Sequence, residues 1–261
     1  MIVLSVIFRC LDPILILGAA SNERSIFLSP LERRKEANEA RLAFTQGSGS
    51  DHIALINAFR EMRYIRASRG EHEMIAFARE NFIHYGAFRT VDNTVQQIED
   101  ILVQAGLIPR TPPKDRYQNG YGGRTLNENA ISVPLIKALV LAGTYPNLAV
   151  NTGSILYRTP SEGPVLIHPS STNYVVPKLA KDNTPSTTLL TYSSMAKSTD
   201  GNTLFLRETS EVTPLVAALF GGRLRPKARM IDMDYWLPFS IRSDPRAVKA
   251  ILEFKKGLDR V

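Results

Sequence analysis

One cysteine, one tryptophan and four histidines are scattered through 261 residues. A lone thiol, Cys10, excludes an intramolecular disulfide framework and a multi-cysteine zinc site, so an intracellular location is expected, the cytoplasm rather than the nucleus. His52, His72, His84 and His168 show no metal-ligand spacing. There is no G-x-x-x-x-G-K-S/T loop, hence no encoded phosphate cradle for ATP. There is no G-x-S-x-G elbow either, because in Gly47-Ser48-Gly49 the glycines flank the serine directly. Ser50, Asp51 and His52 are consecutive, and helical neighbours point about 100° apart, so they suit a helix cap and not a catalytic relay.

A long uninterrupted apolar run is missing too. The opening MIVLSVIFRCLDPILILGAA has no charge before Arg9 and is broken by Arg9, Asp12 and Pro13. It therefore reads neither as a secretory signal nor as a bilayer span, and no membrane partner is expected. Two core elements meeting at Leu11-Asp12-Pro13 are expected instead, with Asp12 as N-cap and Pro13 at the first helical position.

What is present is ordinary globular material: 44% hydrophobic and 22% charged residues, enough chain for two domains, and no bias towards disorder, collagen or coiled coil. The net charge of +7 is unevenly placed. Residues 1–110 hold 13 Lys/Arg and 13 Asp/Glu, whereas residues 111–261 hold 19 and 12. A basic half attracts polyanions, nucleic acid foremost.

From Pro30 to about Pro109 the periodicity is helical. Helices are expected after Ser29-Pro30, after the cap Ser50 with Leu55, Phe59 and Met62 on one face, over 71–84 and over 94–105. Residues 109–129 carry three prolines and three glycines without apolar periodicity and read as a linker or long loop. Another helix follows at 130–143. Beyond it, strands are expected at 147–150, 155–157, 164–168, 189–193, 203–208 and 230–239, with a hairpin at Asp200-Gly201. Residues 213–220 suit a helix or buried turn, and an amphipathic helix closes the chain from Pro245. Five or six short strands with an inserted helix favour a small closed barrel over a sandwich.

Three features suggest binding. In FGGRLRPKARM, Arg223, Arg225, Lys227 and Arg229 alternate with other residues. An extended chain would place them on one face to track phosphates, although a solvated loop explains them equally well. Arg60, Arg63, Arg66 and Arg69 recur every third residue, which makes a basic helical ridge or simply a wet face. In IHPSSTNY, His168, Ser170 and Ser171 offer donors at a strand end and Tyr174 offers a stacking ring, with turn chemistry as the plainer explanation.

Taken together, FRCLDPILILGAA, IFLSP, RKEANEARLAF, SDHIALINAF, ALVLAGTYPNLA, VLIHPSS, LFLRETSEVTPLVAALFGG and DYWLPF resemble, in order, the C-terminal part of DEAH/RHA-type RNA helicases. Among these the branch that includes the G-quadruplex-resolving and RHA-like enzymes is most similar. The resemblance implies an α+β chain: a helical, ratchet-like helicase-associated domain at 1–110, a linker at 111–129, and an OB-fold barrel with a terminal helix at 130–261. It further implies an RNA-binding and regulatory module that grips single-stranded RNA, with DNA or G-quadruplex as other ligands. Its partners would be a RecA-like core in cis or trans and an activator or ribonucleoprotein. ATP and Mg²⁺ belong to that core, and no cofactor is expected in this chain. The competing expectation is a helicase-derived module that docks on a ribonucleoprotein without touching RNA. An autonomous hydrolase or ATPase is disfavoured, since no catalytic residue carries over.

Overall fold

The computed structural model describes all residues except 22, 152, 154, 175–187, 200, 228–229, 241–244 and 261 and, at 245, the backbone alone. Contacts divide the chain into two compact units, Met1–Ile136 and Lys137–Val261.

The first unit is helical: α1 (Ile2–Ile7), α2 (Leu11–Ala20), α3 (Arg34–Phe44), α4 (Asp51–Arg69), α5 (Glu71–Glu80), α6 (Tyr85–Gln104) and α7 (Pro113–Asn119), with α8 (Val133–Thr144) crossing the division. Apolar on nearly every side, α2 must be surrounded, and its Leu11, Leu15 and Ile16 lie in a core shared with Phe59 and Met62 of α4 and Phe88 and Val91 of α6. The cap at Ser50 forms as expected, its hydroxyl accepting from the Ile53 amide at 3.1 Å.

Three expectations shift. The two N-terminal elements meet at Phe8–Cys10, so α2 starts at Leu11 with Cys10 as its cap residue, and Asp12 is a buried carboxylate inside the first turn. The gap expected between 84 and 94 is helical: α5 ends at Glu80 and α6 starts at Tyr85, where the His84 ring accepts from the Ala87 amide at 2.8 Å. Residues 111–129 contain α7 and pack onto the helices before them. The amide of Asp12 donates to the Asn127 side chain at 2.8 Å, and that of Gly122 donates to Glu99 at 3.0 Å. Their glycines serve close approach: Gly120 and Gly122 have φ of 80° and 84°, and a Cβ on either would come within 2.6 Å of Asp12 or Leu11.

The second unit contains β1 (Leu148–Asn151), β2 (Tyr157–Arg158), β3 (Leu166–Ile167), β4 (Leu189–Lys197), β5 (Leu204–Val212), α9 (Pro214–Phe220), β6 (Leu224–Lys227), β7 (Met230–Met233), β8 (Leu237–Ser240) and α10 (Pro245–Leu258). The first five strands form one sheet in the order β2-β1-β4-β5-β3, with β3 and β5 parallel. Its two outer strands are joined where Tyr157 bridges Val165, each amide donating to the other's carbonyl at 2.8 and 2.9 Å. The sheet thus closes on itself as a barrel.

Ala149, Tyr157, Val165, Ile167, Leu190, Tyr192 and Leu206 fill the barrel interior. Leu148, Val150 and Leu189 point the other way, into a second core with Leu141, Ala217, Met233 and Leu237. Leu189 to Tyr192 are therefore all buried, which removes the usual alternation from the start of β4. Both long strands exchange faces near Ser193 and Glu208, where Glu208 takes φ of 53°. Asp200 of the expected hairpin signal lies outside the described residues; Gly201 beside it has φ of 74° between β4 and β5. The expected strand at 230–239 is two strands, β7 and β8, folded back at Asp234 and Tyr235, and with β6 they form a separate three-stranded sheet.

Candidate nucleic-acid interface

Charge follows the division. Lys137–Val261 contains 16 Lys/Arg and 10 Asp/Glu, and Met1–Ile136 contains 16 and 15. In the basic unit Arg225 and Lys227 sit on β6, an outer strand of the three-stranded sheet, with Arg223 just before it, and all three are exposed. Arg229 lies outside the described residues. β7 supplies the acid that the local sequence lacks: Asp232 lies across from Arg225 and accepts an ion pair from Lys227 Nζ at 2.8 Å. Arg225 instead stacks its guanidinium 3.6 Å from the centroid of the Tyr235 ring. The Arg223 amide donates to Asp234 at 2.9 Å while its side chain stays at the surface. Two of the three described cations on this arm thus keep their charge outward.

The 168–174 segment splits by depth. His168, at the end of β3, packs edge-on against Phe205 and lies 3.3 Å from an Arg207 nitrogen. Its Nδ1 accepts from the Ser170 amide at 3.1 Å and lies 2.7 Å from the Ser170 hydroxyl. Ser171 faces inward: it is buried and its hydroxyl is 2.8 Å from that of Thr209, so it anchors the turn and does not offer a donor to solvent. Tyr174 is exposed.

The arginine ridge of α4 is mostly committed. Arg63 Nη1 donates to Asp12 at 2.8 Å and Nε to Asp92 at 2.9 Å, and Arg66 Nη2 reaches the other Asp92 oxygen at 3.0 Å. Burial works against the Arg63 charge, yet the two carboxylates outweigh it and raise its pKa above the usual arginine value. This guanidinium is a half-buried tie between two buried carboxylates and not a member of an exposed ridge. Arg60 donates to the Ala130 carbonyl at 2.8 Å, and Arg69 is exposed at the end of the helix.

A cleft of about 1100 Å³ opens beside this tie. Arg60, Arg63, Arg66, Arg116 and Arg124 line it together with the exposed Tyr64 and Tyr117. Glu99 holds Arg116, and no described carboxylate holds the side chain of Arg60 or Arg124. The sequence reading missed Arg116, Arg124, Tyr64 and Tyr117, because the cleft joins α4 to residues about fifty positions later. It also missed Tyr235. Cations interleaved with exposed aromatics are the combination that tracks phosphates and stacks bases. Among the described residues no three His, Cys, Asp or Glu side chains are grouped to hold a metal ion, and no helix is long and apolar enough to cross a membrane.

Two family descriptions match the chain: the ratchet-like helicase-associated domain over residues 1–55, and the oligonucleotide/oligosaccharide-binding fold over residues 136–224. The Arabidopsis thaliana DExH-box ATP-dependent RNA helicase DExH1 is 32% identical over 229 residues, covering 87% of this chain and 21% of that protein. The human ATP-dependent RNA helicase DHX29 is 28% identical over 254 residues, covering 92% and 17%. The human ATP-dependent DNA/RNA helicase DHX36 is 27% identical over 270 residues, covering 99% and 25%. The chain therefore spans a quarter or less of the length of these relatives.

Proposed function

We propose that this chain, which belongs to the DExH-box RNA helicases as their helicase-associated and OB-fold region, grips a single nucleic-acid strand while ATP is hydrolysed by RecA-like domains outside it. The observation that carries the reading is the exposed cationic arm of β6 on a unit with 16 Lys/Arg and 10 Asp/Glu. Arg223 and Arg225 meet phosphates there, and Lys227 exchanges Asp232 for a phosphate oxygen. His168, Ser170 and Tyr174 offer a ring and donors on the barrel, and Arg60 and Arg124 line the cleft of the first unit. Single-stranded RNA is the preferred ligand, in keeping with relatives named as RNA helicases, and the name of DHX36 extends the choice to DNA. ATP and Mg²⁺ act on the motor, since no phosphate loop is encoded here.

The test is charge reversal. Arg223→Glu, Arg225→Glu and Lys227→Glu combined should weaken binding of a single-stranded RNA oligonucleotide at least tenfold and flatten its salt dependence, with the unfolding midpoint unchanged. The Lys227–Asp232 pair favours a second reading, in which the arm is partly neutralised for docking on a ribonucleoprotein protein. Unchanged RNA affinity in the triple variant, with loss of a protein partner, decides for that reading.

A further inference from the structure

The turn joining β7 to β8 is built in an unusual way. Asp234 and Tyr235 have φ of 46° and 65°, the left-handed pair that a tight hairpin normally fills with Asn-Gly. A bulky aromatic is a strained choice at the second position, and glycine would relieve it. Packing does not explain the choice, because Tyr235 is 68% exposed and joins neither core of its unit.

The turn is also braced. Asp234 accepts from the Tyr145 hydroxyl and from the Arg223 amide at 2.9 Å, while its own amide donates to the Arg223 carbonyl at 3.0 Å. Tyr235 is therefore presented from a fixed backbone. The Arg225 guanidinium covers one face of its ring at 3.6 Å. With that face covered, an exposure of 68% places the opposite face in solvent. Asp232 spends its carboxylate on Lys227, which leaves the Arg225 charge to hold the ring and to reach outward, with Arg223 two residues back, just before the strand.

From this geometry we infer that Tyr235, backed by Arg225, is a base-stacking subsite for single-stranded nucleic acid on the three-stranded sheet, apart from the barrel. An unpaired base lies on the free face of Tyr235, and its flanking phosphates meet Arg223 and the outer edge of Arg225. The guanidinium beneath polarises and immobilises the ring, so little rotamer freedom is lost on binding. The inference rests on the nucleic-acid reading above and adds to it a site that recognises the base itself.

The experiment uses the full chain and two single-stranded RNA decamers, one intact and one abasic at its central positions. Wild type should prefer the intact strand by about five- to tenfold, the value of one stacked base. Tyr235→Ala and Tyr235→Gly should lose that preference, the glycine variant with an unfolding midpoint equal to or above that of wild type, and Tyr235→Trp should keep it. If wild type binds RNA but Tyr235→Ala keeps the preference, or if wild type binds both strands equally, the subsite is wrong and the electrostatic grip stands. If wild type binds neither strand, the grip and the subsite both fail.

Discussion

Arg63 carries a charge through the interior of the helical unit, tying α2 through Asp12 to α6 through Asp92. The ring centroids of its neighbours Phe59 and Tyr121 lie 5.9 and 4.7 Å from the guanidinium carbon, and both carboxylates that it holds are buried. Removing one partner of such a group leaves the others buried and uncompensated. Arg63→Ala or Asp92→Asn should each cost about 3 kcal/mol in urea unfolding, several times the effect of removing an exposed pair such as Arg33–Glu36. The three-residue arginine spacing was legible in the sequence, but its meaning was not, because the two carboxylates lie 51 and 29 residues away. The alternation of cations was legible but left strand and loop open, and the structure puts Arg225 and Lys227 on β6; the neutralising Asp232 belongs to the next strand and shows only once the register is known.

Cys10 is fully buried, and burial, the largest influence, pushes its thiol up to about 12 from an ordinary 9.0. The folded state therefore holds this proton where the unfolded chain releases it. The contribution to stability is complete below pH 9.0 and is lost as pH rises towards 12. Reaction with an aromatic disulfide reagent at pH 8 should be absent in the native chain and stoichiometric in urea; rapid native reaction contradicts the burial.

At the scale of elements, caps and close contacts decide the boundaries. Ser50→Ala and Thr213→Ala each remove a hydroxyl that accepts from a first-turn amide, and each should cost about 1 kcal/mol in chemical unfolding. The Ser50 cap was legible because serine commonly starts helices, whereas 213–220 read as a helix or buried turn without Thr213 as its cap. The start of α6 was not legible, because a histidine is an uncommon cap and Gly86 follows within the first turn. Residues 111–129 misled for a related reason: proline and glycine usually mark loose connections, yet Pro113 opens α7 and the glycines admit Asp12 and Leu11. Gly122→Ala should destabilise the helical unit by about 2 kcal/mol or more, combining left-handed strain with a clash against Leu11. A neutral result would show that this segment is loosely attached.

At the scale of the whole chain, a helical ratchet-like unit precedes a barrel-bearing unit that holds most of the net positive charge, and the matched relatives extend over several times its length. The barrel was legible as a count of short strands and an inserted helix. Its closure through Tyr157 and Val165 is a long-range pairing that periodicity does not encode. Fold alone does not assign the grip, which depends on cations left facing outward. The most direct test is a titration of fluorescent single-stranded RNA with the purified chain from about 50 to 200 mM salt. Arg223, Arg225 and Lys227 on the exposed arm predict that log affinity falls against log salt with a slope of about −2, at roughly 0.7 per neutralised phosphate. Absent binding, or affinity that does not change with salt, would contradict an electrostatic grip on the strand.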